Sequence, residues 1–233
     1  MSLPQIDVPI YEVQLVSNDQ KIQYRPFLVK EKKILMAASE SKSPDAAYLA
    51  IKQIVNNCTF GKIDVESLAL FDLQLLFLKI RSKSIGEIAD FKLQCTKCSK
   101  DVLCYINFDE IKIEKNPEHN KKIMLNDKIG IMMKYPNMGL EKTIQNVSTE
   151  NLDIEIVLNC IDYVFDENEV YYAKSTPEEE LRGLIDSLTE QQMKKIMQFF
   201  ENLPKLEHEI QYECKHCKHH GEYLVEDLYG FFD

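Results

Sequence analysis

Apolar residues recur at three- and four-residue spacings over long stretches of this chain and at alternate positions over shorter ones. From Glu31, Ile34, Leu35 and Ala38 keep helical spacing, and Ala46, Ala47, Leu49, Ala50 and Ile54 resume it after Ser41-Lys42-Ser43-Pro44. In that break Ser43 suits an N-cap and Pro44 the first helical position. Residues 64–81 form the most apolar helix candidate: Asp64 can cap it, Leu68, Phe71, Leu75 and Leu78 line one face, and Val65, Leu76 and Ile80 a second. A helix apolar on nearly every side belongs in a core, so its Asp72 and Arg81 require partners. Leu152, Ile156, Cys160 and Val164 predict a further helix over 150–165. Thr176-Pro177-Glu178-Glu179 and Thr189-Glu190-Gln191-Gln192 have the capping-box form and open two more helices, ending near Ser187 and Leu203.

Period-two patterns mark the strands. Val102, Cys104, Ile106 and Phe108 share one face, with Leu103, Tyr105 and Asn107 opposite. Lys21–Lys30 is β-rich, and Pro26 makes it an edge strand. Beyond the turn Asn116–Asn120, residues 122–125 and 129–135 read as strands of a meander beside Cys95 and Cys98. Residues 169–173, 209–213 and 221–225 are short strands, while 136–148 is polar and reads as a loop. Residues 1–20, with Pro4 and Pro9, read as an extended arm. The expected architecture is α+β in one domain over 21–233. A helical body (30–81 and 150–203) carries a small antiparallel zinc-ribbon-like sheet (90–135 plus 206–227).

Two cysteine pairs change that picture most. Cys95-Thr96-Lys97-Cys98 and Cys214-Lys215-His216-Cys217 each follow a strand-like stretch. Tetrahedral zinc takes four thiolate or imidazole ligands at about 2.0–2.3 Å, and two C-x-x-C turns supply four thiolates. Disulfides, free thiols and redox chemistry are the competing readings. A metal here would clip the chain end onto its middle and serve the fold rather than catalysis, because four cysteines leave no open coordination position. His216, His219 and His220 crowd the second pair and His208 precedes it; they could replace a ligand, support one, or line a solvated turn. Cys104 and Cys160 read as core thiols.

With 28 Lys and Arg against 38 Asp and Glu, the formal charge is −10, which opposes binding to nucleic acid and anionic membranes. Lys92, Lys97, Lys100, Lys215 and Lys218 nevertheless gather at the cysteine pairs. They would offset the −2 charge of a zinc held by four thiolates, or touch nucleic acid as zinc ribbons do. No apolar run is long enough to span a membrane, and no signal peptide is recognisable at the start. Seven cysteines and no sign of secretion suggest a reducing compartment. The chain contains no G-x-S-x-G, P-loop or H-E-x-x-H motif, which argues against the common hydrolase, nucleotidase and metalloprotease classes.

One ordered set of residues carries a family resemblance. It runs from Tyr24-Arg25-Pro26-Phe27 and Lys30–Ala37 through Leu75-Leu76-Phe77-Leu78-Lys79-Ile80-Arg81-Ser82-Lys83-Ser84-Ile85-Gly86-Glu87 and the first cysteine pair. It continues with Tyr135-Pro136, Phe199-Phe200-Glu201-Asn202-Leu203-Pro204, the second pair and Phe231-Phe232. In these the chain resembles the baseplate hub and hub-assembly proteins of T-even-like contractile-tailed bacteriophages. The resemblance implies a non-enzymatic tail assembly protein, either a hub subunit or a hub assembly chaperone. It would work in the host cytoplasm during assembly, and in the virion baseplate if it stays. Its implied partners are hub or tape-measure proteins. A zinc-ribbon nucleic-acid-binding regulator is the alternative. The aromatic C-terminus, Leu228–Phe232, is expected either to dock partners or to seal the core.

Overall fold

The computed structural model describes residues 6–41, 44–144 and 147–225. The proposed cap Ser43 and the tail Leu228–Phe232 lie outside the described residues. The chain divides into two compact units: one comprises the residues up to Val65, Phe71–Glu114 and the chain from Lys205 on; the other comprises Glu66–Leu70 and Lys115–Pro204. A single domain over 21–233 was expected. The chain leaves the first unit after residue 114 and returns to it at 205.

The first unit opens with an antiparallel hairpin, β1 (Tyr11–Gln14) and β2 (Lys21–Tyr24), Tyr11 opposite Tyr24. Residues 11–14, expected in an extended arm, are therefore a strand of the fold. Its turn is held from below: the backbone N–H groups of Val16 and Ser17 donate to the buried Asp72 carboxylate at 2.6 and 3.2 Å. The helical hairpin α1 (Val29–Ser41) and α2 (Pro44–Cys58) follows. The buried residue of α1 is not apolar but Glu31. Its carboxylate accepts from Arg25 Nη2 at 3.0 Å, the Leu28 N–H at 2.8 Å and Asn57 Nδ2 at 3.4 Å.

A 3₁₀ turn at Val65–Ser67 precedes α3 (Leu70–Ile85). The expected helix over 64–81 is thus shifted toward the C-terminus. Leu76, Leu78 and Ile80 of α3 are buried, as are Ile54 and Val55 of α2. Asp72 found its partners in the β1–β2 turn, and the Arg81 guanidinium stacks on the Phe108 ring at 4.1 Å. Gly86, at φ +139°, ends the helix in a conformation that side chains rarely adopt. Then come the antiparallel pair β3 (Ile88–Gln94) and β4 (Asp101–Asn107), and β5 (Lys112–Glu114). Val102, Cys104 and Ile106 are buried and Leu103 and Tyr105 exposed, as their alternation requires.

The second unit holds β6 (Lys122–Met124), β7 (Gly130–Met133), α4 (Met138–Ile144), α5 (Leu152–Cys160), β8 (Ile161–Phe165), β9 (Val170–Tyr172), α6 (Glu178–Asp186) and α7 (Glu190–Glu201). Its four strands pair antiparallel in the order β6-β7-β8-β9. Ile131, Val157, Ile161, Ile196 and Phe199 are among its buried core residues. The strands over 122–135 therefore belong to this sheet and not to the β3–β4 pair that carries Cys95 and Cys98. The expected loop at 136–148 contains α4, opened by Asn137, whose Oδ1 accepts the Gly139 N–H at 2.9 Å. The helix expected over 150–165 stops at Cys160, whose carbonyl accepts the Lys134 N–H at 2.7 Å, and the chain continues as β8. The Thr189 capping box forms with Gln192. Thr176 does not cap α6; its hydroxyl donates to the Tyr172 carbonyl at 3.0 Å.

Back in the first unit, β10 (Lys205–Glu213) pairs with β5 on one side and β11 (His220–Val225) on the other. The protein is thus a mixed helix and sheet fold with small antiparallel sheets. Its helices are shared between two units rather than gathered in one body.

Two buried carboxylates yield tests. Asp72→Ala leaves two backbone N–H groups without their acceptor and should cost about 3 kcal/mol in urea denaturation, with Asp72→Asn costing less. Burial alone would raise the Glu31 carboxyl, but hydrogen bonds from Arg25 and Leu28 and the nearby charges of Arg25 and Lys30 hold it below its ordinary value of 4.5. A lowered folded-state pKa means stabilisation that is complete above the ordinary value and lost as pH falls through the folded one. Glu31→Gln should therefore cost about 3 kcal/mol at neutral pH. The gap to the wild type should narrow on acidification below the ordinary carboxyl value.

Candidate metal centre

The residue spacing at each C-x-x-C dictates a tight turn between two strands, and both turns form in the same way. In the β3–β4 turn the Cys95 N–H donates to the Lys100 carbonyl at 2.9 Å and the Ser99 N–H to the Cys95 carbonyl at 2.8 Å. In the β10–β11 turn the Cys214 N–H donates to the His219 carbonyl and the Lys218 N–H to the Cys214 carbonyl, both at 2.8 Å. Ser99 and Lys218, each directly after the second cysteine, adopt left-handed φ values of 57° and 59°. That reversal turns both thiols of a pair toward one point.

The four sulfurs of Cys95, Cys98, Cys214 and Cys217 all lie within 4.8 Å of one another. Cys95 Sγ is 3.7 Å from Cys217 Sγ, and Cys98 Sγ is 3.7 Å from Cys214 Sγ. Four sulfurs at about 2.3 Å from a tetrahedral centre sit about 3.8 Å apart, so the donor set fits a metal ion. None of the four is in a disulfide. Cys95 and Cys214 are buried and Cys98 and Cys217 partly so, which leaves one side of the cluster toward solvent.

The electrostatics of the four thiols are divided. Backbone N–H groups of Cys217 and His216 favour the Cys214 thiolate and bring its pKa down to about 6. The His219 N–H favours the Cys217 thiolate too, but burial and the neighbouring Cys98, Cys214 and Cys95 prevail and push it up to about 12. Adjacent thiolates repel, and a cation among them removes the conflict.

Of the candidate histidines, His216 and His220 are exposed, and none joins the sulfur cluster among the described residues. His219 binds the opposite turn instead, its Nε2 lying 3.1 Å from Thr96 Oγ1. The Thr96 N–H donates to the Tyr212 hydroxyl at 3.3 Å. Tyr212 lies across Gly221, its cross-strand partner, where a Cβ would come 2.4 Å from the ring. Thr96, Tyr212 and Gly221 were not singled out in the sequence; the only signal was an aromatic residue facing a glycine across a hairpin. Cys104 and Cys160 are buried outside the cluster, and burial pushes the Cys160 thiol up to about 12.

The class of protein defined at this point is a mixed helix and sheet protein with two cysteine turns brought together into a four-sulfur cluster that can hold a metal ion. Compared with known families, residues 8–233 match the family described as T4 bacteriophage base plate protein. The chain belongs to that family. No curated protein and no solved structure gives a significant match. Among the described residues no helix is long and apolar enough to cross a membrane.

The bracing of one turn by the other predicts a measurable effect. Tyr212→Phe removes the hydroxyl that accepts the Thr96 N–H and should weaken metal retention about tenfold in a chelator competition, with the four cysteines untouched.

Proposed function

We propose that the protein is a non-enzymatic tail assembly protein of a contractile-tailed phage, a baseplate hub subunit or a chaperone of hub assembly. It acts through contacts with hub or tape-measure proteins in the host cytoplasm, and in the virion if it stays. The observation that carries this reading is the family match over nearly the whole chain. The four-sulfur cluster supports the part that concerns mechanism: Cys95, Cys98, Cys214 and Cys217 hold a structural zinc that fixes the β10–β11 hairpin to the β3–β4 hairpin. Bound there, zinc supplies charge neutralisation and cross-linking, and four thiolates leave it no position for a substrate.

The second reading, a zinc-ribbon nucleic-acid binder, draws on Lys97, Lys100, Lys215 and Lys218 around the two turns. Lys218 is paired with Glu213 at 3.5 Å, and the net charge of −10 opposes that reading. Purification of the protein from infected cells separates the two. Co-elution of hub or tape-measure proteins supports the assembly reading, and co-elution of DNA or polymerase overturns it.

The zinc has its own checks. Elemental analysis of protein prepared without chelator should give one zinc per chain; metal-free protein with four titratable free thiols would refute the assignment. Cys214→Ser should lower the melting temperature more than Cys160→Ser, because it opens a site in which metal binding is folding free energy, of order 10 kcal/mol in small zinc modules. Equal melting temperatures for the two variants would argue against a structural clip.

A further inference from the structure

The pairing register of the four-stranded sheet sorts its residues into two faces. Ile123, Ile131 and Val164 stand in one row across β6, β7 and β8, and all three are buried in the core. The rows on either side therefore face away from it. One row is Lys122, Met132, Tyr163 and Tyr172; the other is Met124, Gly130, Phe165 and Val170. The outward face of an antiparallel sheet is normally polar. Here it is methionine, aromatic and valine. Val170, Tyr172 and Met124 are 49%, 48% and 38% exposed, and Met132, Tyr163 and Phe165 are half-buried.

The rings form a continuous layer. Tyr163 meets Phe165 and Tyr172 with ring centroids 6.2 and 5.5 Å away, both edge-on. Phe165 lies over Gly130, where any Cβ would come 2.3 Å from the ring, so the glycine keeps this layer flat. Two cations rest on the layer: Lys122 Nζ is 4.9 Å from the Phe165 ring centre and Lys174 Nζ 5.7 Å from that of Tyr172. Among the described residues neither lysine has a carboxylate within ion-pair distance.

We propose that this face docks a protein partner whose contact surface is apolar at its centre and carries carboxylates that meet Lys122 and Lys174. Tyrosine and methionine suit such a surface, since they present large adaptable area at low entropic cost. Charge fixes the kind of partner. In a chain of net charge −10, this face offers two ammonium groups over an apolar layer with no carboxylate at ion-pair distance among the described residues. A second copy stacked face to face would set lysine against lysine, which a carboxylate-bearing partner avoids. The inference rests on the reading above that the protein works by protein–protein contact, and it names the surface that makes the contact.

The test is photo-cross-linking in infected cells, with benzoylphenylalanine placed at Tyr172 and, as a control, at Tyr105 on the exposed face of β4. The expected result is a cross-link from position 172 to one phage structural protein, within a peptide bearing Asp or Glu. The charge-reversed pair Lys122→Glu and Lys174→Glu should reduce it at least tenfold at an unchanged melting temperature, while both lysines changed to Arg should retain it. In the unaltered protein, the cross-link should also fall as salt is raised, which keeps the test open if the reversed pair unfolds. Cross-linking from 172 only to a second copy, only to this chain's own residues 226–233, or to nothing would overturn the proposal, as would a yield indifferent to salt and charge. If position 105 captures a baseplate protein and 172 does not, the assembly reading stands and this face falls. Nucleic acid captured from both positions would sink the assembly reading itself.

Discussion

The convergence of four thiols at one point is the constraint on which the first unit depends. Cys95 and Cys217 are 122 residues apart in sequence, and their sulfurs lie 3.7 Å apart. Between them the chain leaves β5, builds the 115–204 part of the second unit, and returns as β10. Closing a loop of that length costs entropy that grows only logarithmically with length, so the return is feasible, but something local must reward it. The three-stranded sheet contributes through backbone pairing of β10 with β5, which covers only Lys205–Glu207 opposite Lys112–Glu114. The four-sulfur cluster, which can hold a metal ion, lies at the far end of β10, where the strand turns into β11.

Buried carboxylates play a parallel part elsewhere in that unit. Asp72 sits on a helix whose other buried residues are apolar except for Ser82, and it serves as an acceptor for the turn of an N-terminal hairpin. Glu31 anchors a helix that buries no apolar residue of its own. Apolar burial is indifferent to small shifts in position, whereas a carboxylate receiving two or three N–H groups fixes one geometry. The second unit follows the opposite pattern, with a contiguous apolar core that reaches from β6 to α7.

What was legible in the sequence follows from the range of the signals. The alternation of Val102, Cys104 and Ile106, the capping box at Thr189 and the two cysteine turns are all written within a few residues, and the structure contains all three. The boundary at Cys160 was not legible, because Ile161 and Val164 continue a helical spacing equally well; the pairing of β8 with β7, which lies far back in the sequence, decides the matter. The same holds for β6 and β7, expected beside Cys95 and Cys98 by proximity in sequence although the sheet they belong to is completed by the pairing of β7 with the distant β8. The hairpin at Tyr11–Tyr24 was masked by Pro4 and Pro9, whose signal belongs to the residues before the strand. The four ligand candidates could be read from spacing alone, but the bracing of Thr96 by Tyr212 joins residues 116 apart and left no local trace.

One device recurs in both units and links structure to function differently in each. In the first, Gly221 lets the Tyr212 ring lie flat on the sheet, and the ring carries a hydroxyl that reaches the opposite cysteine turn. In the second, Gly130 does the same for Phe165, whose ring has no polar end; it meets the Tyr163 ring edge-on and lies beneath Lys122 Nζ. Glycine within a strand is costly, since it loses more backbone entropy on folding than other residues and buries no side chain of its own. At Gly221 the compensation lies within the fold, in the alignment of the sulfur cluster. At Gly130 the compensation is the Phe165 ring with its contacts to Tyr163 and Lys122. The Gly221 contact closes within the fold, whereas the Gly130 contact builds the half-open aromatic layer that we propose a partner covers.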